Sequence, residues 1–83
     1  MSAMGFVDTI DIGDKKLTIQ TEFFPRPKPR AETKVYLGGA LKKVYTEPMD
    51  DVAPDEVQRT LGEIHQTKMK EIVTALREKA EQK

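Results

Sequence analysis

Eighty-three residues without a cysteine make one small domain (1–83) that can use neither disulfides, thiol chemistry nor a sulfur-ligated metal. Apolar residues at 37% and charged residues at 34% are too apolar for a disordered chain and too polar for a thick core. The formal net charge of zero argues against partners recruited by bulk electrostatics. No segment has the make-up of a leader or a membrane span, so the chain reads as cytoplasmic and off the membrane.

After a tail over 1–5, expected to be mobile, residues 6–24 read as a hairpin. Phe6, Ile10 and Ile12 alternate with Val7, Thr9 and Asp11, and Leu17, Ile19 and Phe23 alternate with polar neighbours. Gly13-Asp14 suits a two-residue turn with glycine at the position needing positive φ. That register pairs Ile12 with Lys15, Asp11 with Lys16, Ile10 with Leu17 and Thr9 with Thr18. The apolar sets then share one face, and Asp8, opposite Ile19, is a misfit on it.

Pro25-Arg26-Pro27-Lys28-Pro29-Arg30 follows, within a linker assigned to 25–32. Alternating prolines favour an extended polyproline path of about 19 Å. Such an arm could cross one end of a sheet, so the two hairpins need not be neighbours.

Residues 33–46 read as a second hairpin, turning at Gly38-Gly39. Pairing Leu37 with Ala40 puts Val35, Leu37, Ala40 and Val44 on one face, with Lys42 as its misfit. Lys34, Tyr36, Leu41, Lys43 and Tyr45 take the other face. A straight run through the glycines would leave three strands instead of four.

Pro54, Asp55 and Glu56 suit the first turn of a helix over 54–82. Strands of six or seven residues would give a sheet only about 20 Å long, against roughly 42 Å of helix. The apolar stripe also shifts along the helix. Val57, Leu61 and Ile64 are expected on the sheet. Met69, Ile72, Val73, Leu76 and Ala80 are the candidate interface for a partner, most simply a second copy of the chain.

The fold class expected is therefore α+β, with an antiparallel sheet of two hairpins and a long C-terminal helix on one face. The expected role is a non-catalytic interaction or assembly module, binding itself as a homodimer or another protein. Cofactors and metals have no motif: His65 is the single histidine, Ser2 the single serine, and the glycines lie in turns.

The second function class is single-stranded nucleic-acid binding. Between residues 25 and 43 six basic side chains face one acid, Glu32, whereas 47–56 carries only acids. Arg26, Lys28, Arg30, Lys34 and Lys43 would contact phosphates, and Tyr36 and Tyr45 would stack on bases. Four strands followed by a helix is similar in element order to purine-rich-element-binding repeats and some single-strand-binding coactivators, without a shared motif.

Overall fold

The computed structural model describes residues 5–81, with side chains to residue 79. Four strands, β1 (Gly5–Ile12), β2 (Lys15–Phe24), β3 (Arg30–Leu37) and β4 (Ala40–Pro48), form one antiparallel sheet in the order β1-β2-β3-β4. A 3-10 turn at Pro54–Glu56 leads into helix α1 (Val57–Glu81), which packs along one sheet face. Most of the expected tail and the last expected helical residue, Gln82, lie outside the described residues; Gly5 opens β1.

The β1–β2 register follows from its turn. Gly13 takes φ +63°, and Ile12 pairs with Lys15, Asp11 with Lys16, Ile10 with Leu17 and Thr9 with Thr18. The face away from the helix gains a Thr9–Thr18 hydroxyl contact of 3.2 Å. Lys16 Nζ also donates to Asp11 Oδ1 at 3.2 Å on that face. Both are exposed, so they fix the register more than they stabilise it.

Gly38 and Gly39 take φ of +62° and +85°, as a turn with two left-handed positions requires. Replacing Gly38 with valine is expected to cost more than about 1 kcal/mol in urea unfolding, because a β-branched residue resists that region. An unchanged midpoint would show that the turn tolerates another geometry.

Next to this turn the expected pairing holds for Leu37–Ala40 and Tyr36–Leu41, then slips: Val35 pairs with Lys43, and Lys42 bulges out unpaired. The bulge removes Lys42 from the position opposite Val35 and reverses the faces of the rest of β4. Val44, expected inside, is 44% exposed on the outer face. Tyr45, expected outside, pairs with Thr33 and packs beside the core against the helix.

The connection between the hairpins also departs from expectation. β2 runs on to Phe24 and β3 starts at Arg30, which pair directly, so Pro25–Pro29 is a reversing loop and not an extended arm. Residues 30–32 belong to β3. The two hairpins are neighbours because β3 starts earlier than expected and pairs with the end of β2, which reaches Phe24 as the alternation indicates.

The length of the strands also shortens the expected overhang of the helix. With 10 residues β2 spans about 33 Å, against about 38 Å for the 25 residues of α1. The helix therefore meets its own sheet along most of its length. Near its start Leu61 and Val57 pack with Ala31 and Met49, flanked by Phe6, Phe23, Val52 and Ile64. Further along, Met69, Ile72, Val73 and Leu76 half-cover Leu17, Ile19 and Val35 together with Ile12, Leu37 and Tyr45. The shift of the apolar stripe thus follows the twist of one sheet. Gly62 faces β1, where a Cβ would meet the Phe6 ring at 3.4 Å, an ordinary packing contact.

Candidate assembly surface and buried polar network

Between the two apolar clusters lies a polar layer built by three strands and the helix. His65 points at the sheet, where its Nδ1 lies 2.8 Å from Thr21 Oγ1 and its Nε2 lies 2.7 Å from Asp8 Oδ2. Thr21 Oγ1 in turn lies 3.1 Å from Thr33 Oγ1. Because a carboxylate can only accept, Nε2–H donates to Asp8, and in the neutral imidazole Nδ1 accepts from the Thr21 hydroxyl. The Thr33 hydroxyl then donates to Thr21, and the chain of bonds ends at a half-exposed carboxylate. Phe6 stacks on the imidazole with ring centres 5.8 Å apart.

This layer joins residues that the sequence presented separately. Asp8 is the misfit on the apolar face of β1, and His65 adjoins the apolar stripe of α1. Their partnership accounts for the Asp8 misfit, and no local signal in the sequence pairs positions 57 apart. A hydroxyl, an imidazole and a carboxylate in line suggest a nucleophile relay, but Thr21 is 0% and His65 1% exposed. A hydroxyl so placed is closed to solvent, and the polar side-chain atoms of the layer find their partners within it. Among the described residues no three His, Asp or Glu side chains converge as metal ligands.

The residues proposed for nucleic acid are divided by the sheet. Tyr36 pairs with Thr18 on the outer face, whereas Tyr45 lies on the helix side beneath Lys68, whose Nζ is 4.6 Å from the ring centre. Lys43 Nζ also sits 5.2 Å from the Tyr45 ring centre. The two rings therefore form no common stacking platform, and the bulge at Lys42 is the reason.

On the outer face the basic groups have acidic partners. Arg30 Nε donates to Glu32 at 2.9 Å, and its guanidinium covers Phe24 at 5.0 Å. Lys34 Nζ lies 3.9 Å from Glu22. Arg26 and Lys28 are exposed in the reversing loop, where the Arg26 carbonyl accepts from Arg30 Nη1 at 2.7 Å.

Of the candidate interface residues, Ile72 and Leu76 are half-buried against the chain's own sheet, and so in part are Met69 and Val73. Met69 and Val73 also line a groove of about 740 Å³ with Ile10, Gln66, Thr67, Lys70, Thr74 and Arg77. The side chain of Ala80 lies outside the described residues. The groove runs between β1, an edge of the sheet, and one flank of α1, with an apolar floor and two basic side chains on its rim. Sequence spacing found the stripe but not the groove, because Ile10 enters it from a different element.

No helix among the described residues is long and apolar enough to cross a membrane. Comparison of the chain with protein-family models, with curated proteins and with solved structures finds no match.

Proposed function

We propose that the chain is a non-catalytic assembly module of the cytoplasm, acting as a homodimer through the exposed flank of its C-terminal helix. The observation that carries this reading is the groove beside β1, where Ile10, Met69 and Val73 are left incompletely covered. A domain of this size has a thin core, so sharing apolar surface with a second copy gains more for it than for a larger protein. Closure of the Thr21–His65–Asp8 layer supports a role without catalysis. The nucleic-acid reading loses its two-ring platform and finds Arg30 and Lys34 already engaged by Glu32 and Glu22.

Sedimentation equilibrium at micromolar concentration is the direct test. The expected species has about twice the 9.4 kDa chain mass. Val73→Asp is expected to return it to the single-chain mass with the far-ultraviolet circular dichroism retained, since Val73 stands in the groove wall. A wild-type monomer near millimolar concentration would overturn the proposal.

A further inference from the structure

The two edges of the sheet are not alike. β4 carries a bulge at Lys42, a second lysine at Lys43 and a proline at Pro48, all features that keep a free edge from pairing. β1 has no proline, no lysine and no register shift over its eight residues, and its one inward-pointing charge, Asp8, is held by His65. It is the edge open to another strand.

The direction of its free backbone groups follows from the hairpin. Ile12 and Lys15 close a two-residue turn and exchange hydrogen bonds, so Ile10, Asp8 and Phe6 bond to β2 as well. Consistently, the carbonyl of Lys16, opposite Asp11, turns the other way and accepts from Gly38 N–H at 2.9 Å. The N–H and C=O groups of Val7, Thr9 and Asp11 therefore aim outward from the sheet.

We infer that β1 pairs antiparallel with β1 of a second copy, Thr9 against Thr9, making a continuous eight-stranded sheet. This rests on the homodimer reading above and specifies its geometry. Hydrogen-bonded pairs between residues of one parity keep both helices on the same face. Centring on Asp8 instead would set two carboxylates face to face. Centring on Thr9 places Asp8 opposite Ile10 of the other copy and Phe6 opposite Ile12. On the outer face it joins two Thr9–Thr18 contacts into one row of threonines.

The helices agree with the same axis. His65 meets both Asp8 and Thr21, so α1 lies above β1 and β2. With strands about 4.8 Å apart, two such helices stand about 10 Å apart across the axis, a normal packing distance. They run antiparallel and cross near Gln66 and Thr67. Lys70, which makes no ion pair among the described residues, then lies at the level of Glu63 of the other copy, and Arg77 at that of Glu56, two exposed carboxylates that Arg59 of their own chain also holds. Each copy's groove is covered by the other's apolar and acidic β1, and its basic rim meets Asp8. That match of sign and pattern selects a second copy as the occupant.

A single introduced cysteine reads the register directly, because the chain has none of its own. Opposed residues in a hydrogen-bonded pair have Cα atoms about 5.5 Å apart, within disulfide range. Thr9→Cys is expected to oxidise almost wholly to a covalent dimer at micromolar concentration. Val44→Cys, exposed on the other edge, is expected to stay at least tenfold less cross-linked. Val7→Pro is expected to give a folded monomer, since it deletes an outward N–H that β2 does not use. A wild-type dimer in which Val44→Cys cross-links and Thr9→Cys does not would keep the homodimer and overturn the β1 pairing. A wild-type monomer would overturn both, and capture of an acidic extended peptide by that monomer would assign the edge to a different occupant.

Discussion

Leu61→Ala is expected to destabilise the fold by about 3–5 kcal/mol, read as the loss of unfolding free energy in urea. Leu61 is 0% exposed and forms the centre of the cluster with Ala31, Met49 and Val57. Two properties of the site push the cost to the upper part of the usual range. The cluster is small, and it is bounded on one side by the polar layer of His65. Against a total stability of about 5–15 kcal/mol for a domain, that is a large fraction, and at the lower end of the range the variant would be close to unfolded at room temperature. Ile72→Ala, at a half-buried position in the other cluster, is expected to cost clearly less. Equal losses at the two positions would mean that the two clusters behave as one continuous core.

The hairpins were legible because their determinants are local. Glycine at Gly13 and at Gly38-Gly39 answers a backbone requirement that few other residues meet, and period-two alternation then fixes the face of each neighbour. The bulge at Lys42 was not legible, since either register sets one lysine, Lys42 or Lys43, opposite Val35. What decides between them is Tyr45, which gains cover from Lys68 and the helix only when the strand slips by one residue. The start of β3 was hidden for a similar reason. Arg30 and Glu32 look like loop residues by hydropathy, yet both sit on the outer face with their charges paired, where polarity is no obstacle to a strand. Underestimating the strands made the helix look longer than its support and sent the whole of Met69–Leu76 to a partner. The structure leaves only its β1 flank free for that purpose. Asp8 and His65 stand 57 positions apart, so only the fold could join them, although Asp8 was a visible misfit.

The second large effect is expected at His65. His65→Ala should cost about 3–4 kcal/mol in urea unfolding, by two routes that act together. Removing the ring leaves a cavity beside Phe6. It also strips the Thr21 hydroxyl of its acceptor in a fully buried site, a loss of about 1–3 kcal/mol by itself. Asp8→Ala should cost only about 1 kcal/mol, because water can replace a half-exposed carboxylate at Nε2. Such a graded pair separates desolvation from simple bond loss: the buried end of the chain of bonds matters more than the open end. The same logic predicts rescue. Replacing Thr21 and Thr33 with valine and His65 with leucine together removes every buried polar group of the layer at nearly constant volume. That triple variant should recover most of the stability lost in His65→Ala, since no donor is stranded. If the triple variant is instead as unstable as His65→Ala, the layer holds the helix by geometry that apolar packing cannot supply. Burial without bonding would then be the wrong account of why an imidazole sits between two apolar clusters.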